Sequence, residues 1–197
     1  MKKSAYLILI QMICFWGCSP ESHQELPDHH PVVYFEDFQG ILDDTFDESS
    51  FHNSSEAGSK KWFANSYQRN GYYEFSPFNS AEILNIAWLV TPGIDLDAAN
   101  AKRLTFESAQ HHVVDSENNH LKVYVSNNFS GNIGTAHWIE VPFKTPEIGT
   151  AHNYDFFSSG IVDLKAFNGT IYIAFKATGG MESSNAGAYM IDNIKVF

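Results

Sequence analysis

Along most of this chain the apolar positions recur every second residue, not every third or fourth. VVYFEDF (32–38), KKWFANSY (60–67), GYYEF (71–75), ILNIAWLV (83–90) and AKRLTFESA (101–109) follow this pattern. So do HLKVYVSN (120–127), HWIEVPF (137–143), GIVDLKAF (160–167), TIYIAFKAT (170–178) and AGAYMIDNIKVF (186–197). All are rich in aromatic and β-branched residues and are separated by Gly, Asn, Pro and Ser clusters, so each is predicted as a strand. No stretch carries a sustained helical stripe; DLDAANAK (95–102) has room for one turn. About ten strands without helices predict an all-β fold, most simply a jelly-roll β-sandwich of two antiparallel sheets. Asn168-Gly169 between two apolar runs predicts a hairpin. Gly40 to Ser59, with Asp43, Asp44, Asp47 and Glu48, is expected to be an acidic loop of little apolar content.

The first residues break the pattern. Lys2 and Lys3 form a positive start, residues 4–16 an apolar run, and Gly17-Cys18 a small residue followed by cysteine. The run is shorter than the roughly 20 residues that span a bilayer and polar chain follows it, which is the layout of a secretory signal peptide. The terminal cysteine makes residues 1–17 resemble a bacterial lipoprotein signal, with Cys18 acylated as the mature N-terminus. Residues 18–31 then form a polar tether containing Pro20, Pro27 and Pro31. Its His23, His29 and His30 are expected to be solvated linker residues. Residues 32–197 suit a single domain with a substantial core.

Loss of Lys2 and Lys3 with the signal takes the formal charge from −11 to −13. Such an acidic chain repels phosphate backbones, which argues against nucleic-acid binding. Cys14 and Cys18 are the only cysteines, so the domain itself has no disulfide and depends on its core, or on a core plus metal.

Two acids fall among apolar neighbours. By alternation, Ala188, Met190, Asp192, Ile194 and Val196 share one face of the last strand, and Tyr34, Glu36 and Phe38 one face of the first. A carboxylate there is costly unless it is paired, hydrogen-bonded or bound to a cation. The first and last strands of a jelly roll commonly lie side by side, so Glu36 and Asp192 are candidates for a shared structural calcium ion. The alternative places each acid at a strand end, bonded to loop amides or to Lys or Arg.

The order and spacing of YFEDF, Trp62, LVTPGIDL (89–96), LKVYVSNNFSG (121–131), SSGIVDLKAFNGTIYIAFKATGG (158–180) and GAYMIDNIKV (187–196) resemble the choice-of-anchor J family. That family is related to the cleaved-adhesin domains of Bacteroidetes surface proteins. The resemblance spans nearly all of the chain after the tether. It implies a jelly-roll domain on an outer-membrane or cell-surface lipoprotein, with glycan as the ligand class. It also implies structural calcium near the termini, mapping to Glu36 and Asp192.

Other constellations are weaker. His111, His112, Asp115, Glu117 and His120 invite a metal site, yet adjacent strand residues point to opposite faces, and VVDSENNH (113–120) fits a polar hairpin. There is no G-x-S-x-G elbow and no cysteine in the domain for nucleophilic catalysis. Trp62, Tyr72, Tyr73, Phe78 and Trp138 are candidates for stacking on sugar rings, with Trp62, Tyr72 and Trp138 preferred; Trp88 is expected in the core. The expected function is a lipid-anchored, non-catalytic envelope module that binds glycan. A module for adhesion to another envelope protein is the alternative, and a glycoside-active hydrolase the third reading.

Overall fold

The computed structural model describes residues 30–197, so the Cys18 signal and the tether as far as residue 29 lie outside the described residues. The strands are β1 (Tyr34–Glu36), β2 (His52–Ala57), β3 (Phe63–Tyr67), β4 (Asn70–Phe75), β5 (Asn85–Val90), β6 (Ile94–Asp95) and β7 (Arg103–His111). They continue with β8 (His120–Ser126), β9 (Ile139–Val141), β10 (Phe157–Ser158), β11 (Val162–Asp163), β12 (Thr170–Gly179) and β13 (Ala188–Val196). The ladders are antiparallel and divide into two sheets. One has seven strands in the order β10-β7-β13-β4-β3, with β1 also on β13 and β11 on β7. The other has six in the order β2-β5-β12-β8-β9, with β6 also on β12. The all-β sandwich expected from the alternation is the observed architecture.

The alternation also places the core. Leu104 and Phe106 of β7, Tyr73 and Phe75 of β4, and Tyr189 and Ile191 of β13 face Ile171, Ile173 and Phe175 of β12 and Val123 and Val125 of β8. Each such side chain contributes roughly 1.5–3 kcal/mol by leaving water. ILNIAWLV is apolar at successive positions because β5 is covered on both faces. Ala87 and Leu89 enter the core, while Trp88 and Val90 join a second cluster with Phe129 and Trp138 on the outer side of the six-stranded sheet.

Four sequence expectations change. The segment from Gly40 to Ser59 is not a plain loop: it holds two 3-10 turns and the polar strand β2, which pairs with β5. Its Phe46 and Phe51 pack with Phe38 and Tyr73, ring centroids 5.2–6.1 Å apart. Asn168-Gly169 does not close a hairpin, because β11 belongs to one sheet and β12 to the other. Leu164 and Phe167 are buried in that crossover, and the Leu96 amide donates to the Gly169 carbonyl. VVDSENNH likewise crosses between sheets, from β7 to β8, held by buried Asn119, whose amide donates to the Thr178 and Gly187 carbonyls.

The fourth change concerns the last strand. The β13 register shifts between Asp192 and Lys195, and Asn193 sits at φ 51, the mark of a bulge. The extra residue reverses the alternation: Ile194 and Val196 face the core, while Met190 and Asp192 stand on the outer face.

Candidate functional site

The outer face of the seven-stranded sheet is where chemistry gathers. Alternation puts Phe63, Asn65 and Tyr67 of β3 on it, with Asn70, Tyr72 and Glu74 of β4, Met190 and Asp192 of β13, and Ala109 and His111 of β7. The β3–β4 hairpin closes through Gln68 and Arg69, both at positive φ (49 and 66), as a two-residue primed turn requires. Neither is glycine, so the turn stores strain beside Tyr67.

The connection that ends at β10 overhangs this face and contributes Tyr154, Asp155 and Phe156. Its position is set by Gln110, a wholly buried amide on β7. Nε2 of Gln110 donates to the carbonyls of Glu147 and Gly149, and Oε1 accepts from the Val113 amide. The backbone carbonyl of Gln110 accepts from Tyr154 N–H at 2.8 Å. Tyr154 itself sits at φ 68, which turns its ring outward over His111, stacked at 4.7 Å.

Three depressions result, of about 420, 410 and 490 Å³, and Tyr154 lines all of them. The first two are floored by Tyr72 beside Tyr67; the third extends to His111, His112, Phe78 and Ser183. Tyr67 is 65% exposed, Phe78 62% and Tyr154 52%, so their rings are available to a ligand. Tyr72 is buried beneath them and packs on Phe156 at 5.7 Å. Burial, with the Glu74 carboxylate and Tyr154 nearby, pushes the Tyr72 phenol above its ordinary pKa, which keeps it a neutral donor and acceptor.

Polar groups sit between the rings. Glu74 is buried; Oε2 accepts from Asn65 Nδ2 at 2.8 Å and Oε1 lies 3.2 Å from His111 Nε2. His111 Nδ1 is 2.8 Å from His112 Nδ1, so one donates and the other accepts. The two rings meet, against the expectation of opposite faces, because β7 ends at His111 and His112 turns back at φ 58. No group of three His, Cys, Asp or Glu side chains among the described residues is arranged to hold a metal ion.

The candidates named from sequence separate. Tyr72 lies in this trough and Phe78 at one end of it. Trp62 does not: it is 2% exposed, in the inter-sheet core against Phe75, with Nε1 donating to the Ala87 carbonyl. Tyr73 points into the same core. Trp138 is half-buried on the other sheet, packed on Trp88 and Phe129 with Nε1 donating to the Ile133 carbonyl, so it is spent on folding residues 127–138 over that face. Tyr67 and Tyr154 are the residues that sequence reasoning missed. The alternation Phe63-Asn65-Tyr67 marks a non-core aromatic face on β3, whereas Tyr154 falls in a polar connection with no strand pattern to orient it.

Glu36 and Asp192 do not fit a calcium ion held between their side chains. Glu36 pairs with Ile194 across β1 and β13 and therefore faces inward, beside Tyr34 and Tyr73, whereas Asp192 faces outward opposite Glu107. Amides satisfy them instead: Glu36 Oε1 accepts from Phe38 N–H at 2.7 Å, and Asp192 accepts from Asn193 N–H at 2.6 Å and Asn70 Nδ2 at 2.9 Å. Burial raises the Glu36 pKa, and burial pushes that of Asp192 up to about 6, with Glu107 and Asp37 adding to the rise.

The sandwich is similar to solved adhesin domains. The K1 cleaved adhesin domain of Lys-gingipain from Porphyromonas gingivalis matches at 22% identity over 83% of this chain and 96% of that chain, with a TM-score of 0.51. The K3 cleaved adhesin domain of the same protein matches at 16% identity over 85% and 98%, with a TM-score of 0.54. No family model matches the chain, and no curated protein does. The likeness establishes a shared fold.

Proposed function

We propose that this chain is a non-catalytic glycan-binding module, held in a Bacteroidetes-type outer membrane by acylated Cys18 and displayed at the cell surface. The observation that carries the ligand class is the trough on the seven-stranded sheet. Exposed flat rings at Tyr67 and Tyr154, above a neutral Tyr72 phenol, alternate with the amides of Asn65, Gln68 and Asn70. Sugars present apolar ring faces and a periphery of hydroxyls, and this surface offers the complement of both. Concave, mostly apolar sites with a few convergent polar groups are where small ligands bind. The fold shared with cleaved adhesin domains supports a surface role, and the leader ending in Gly17-Cys18 supports the anchor.

Adhesion to an envelope protein is the second reading. It is favoured by Phe78, Ile83, Leu84 and Met181, exposed apolar residues on neighbouring loops joined by Met181 N–H donating to the Glu82 carbonyl.

A glycan array probed with the soluble domain tests the first reading. Wild type is expected to bind a subset of polysaccharides. Tyr154→Ala is expected to weaken binding about 30-fold or more, the ~2 kcal/mol typical of a central aromatic contact, with the melting temperature preserved. No binding to any glycan, together with capture of an envelope protein lost on Phe78→Ser, would favour the second.

A further inference from the structure

We infer that the trough takes an internal stretch of an uncharged polysaccharide, one that runs from Tyr67 past Tyr154 to Phe78, and that it rejects acidic glycans. This rests on the glycan reading above and adds the charge and the bound part of the ligand. Two observations carry it. Tyr154 is common to all three depressions and Tyr72 and Tyr67 to two, and strand register sets their length. Tyr67 lies opposite Asn70 at one end of β4, whereas Phe75, through Tyr189, aligns with Gln110 beside His111 at the other, where Phe78 follows. Tyr67 and Phe78 are both highly exposed. A ligand occupying all three must be extended, and Tyr154 is its central contact.

The second observation is the charge. No Lys or Arg is among the described residues lining the depressions. Asp155 lines the trough, Glu74 lies buried between Asn65 and His111, and Asp192 with Glu107 stands at the Asn70 margin. Lys60, whose Nζ donates to the Phe78 carbonyl, and Arg69 of the β3–β4 turn stand outside that lining. A uronate or sulfate placed over Tyr154 would therefore meet carboxylates first, whereas sugar hydroxyls find amides, phenols and imidazoles able to donate and accept. His111 and His112 spend their facing Nδ1 atoms on each other at 2.8 Å.

Isothermal titration calorimetry of the soluble domain at neutral pH tests this with neutral β-glucan and mannan oligosaccharides of increasing length, and with polygalacturonate and alginate. A neutral chain is expected to bind, with affinity rising about tenfold or more from disaccharide to tetrasaccharide. Capping the reducing end should have no effect, and polyuronates should show no heat of binding. Tyr154→Ala, an exposed position that leaves the fold intact, should abolish the gain with length. Polyuronate binding, or a monosaccharide that binds as tightly as the tetrasaccharide, overturns this inference while leaving glycan binding on this face in place. Binding of neither polymer class overturns the underlying reading.

Discussion

Asp192 shows how one side chain turns on local backbone. Strict alternation puts it on the core face, but the bulge at Asn193 moves it to the outer face, where Asn70 and Asn193 donate to its carboxylate. It is 1% exposed, and its proton is held up to about pH 6 rather than near 3.8. A carboxyl with a raised folded pKa contributes its stabilisation below the unfolded value and loses it as pH rises through the folded one. Between about pH 4 and pH 6 the domain should therefore lose stability through this group. Thermal melts of Asp192→Asn are expected to gain several degrees relative to wild type as pH is raised from 4 to 7. A difference that stays flat across that range would show that Asp192 titrates normally.

At the scale of elements, the trough depends on how a loop is held over a sheet. Gln110 joins β7 to the connection carrying Tyr154 with side-chain bonds to Glu147 and Gly149 and a backbone bond to Tyr154. Gln110→Leu leaves those two carbonyls and the Val113 amide without their partner, at a cost of about 2–3 kcal/mol. It should weaken glycan binding by freeing Tyr154, even where Tyr72 and Tyr67 are untouched. Urea denaturation with a parallel binding titration checks this; full affinity at reduced stability would place Gln110 outside the site's support. Much of the framework was legible in the sequence, since all ten alternating segments contain strands. What escaped was governed by register and polarity. β2 (HNSSEA) is too polar to look like a strand and is specified by pairing with β5, and the Asn168-Gly169 turn is used between sheets. The candidate trough was half legible: it holds Tyr72 and Phe78, which the sequence marks. Whether an aromatic faces the core or solvent, however, depends on its strand's partners, which put Trp62 in the core and Trp138 on the opposite sheet.

On the scale of the whole molecule, the two sheets divide their outer surfaces between different tasks. The six-stranded sheet covers its outer aromatics with residues 127–138, building Trp88, Phe129 and Trp138 into a second cluster braced by the Glu56 carboxylate, which accepts from Trp88 Nε1. The seven-stranded sheet leaves Tyr67 and Tyr154 open above Tyr72. Large exposed aromatic surface is costly to keep and marks binding faces. On the proposed reading, a lipid on Cys18 joined to the domain through polar chain would leave such a face free to meet polymer outside the membrane.

The most direct test is residue-resolved mapping: a proton–nitrogen correlation NMR titration of the isotope-labelled domain with a polysaccharide fragment that binds. The account predicts shifts concentrated on β3, β4 and residues 153–156, centred on Tyr67, Tyr72 and Tyr154, with His111 and His112 at the margin. Shifts centred instead on Trp138 and residues 127–138 of the opposite sheet would contradict it.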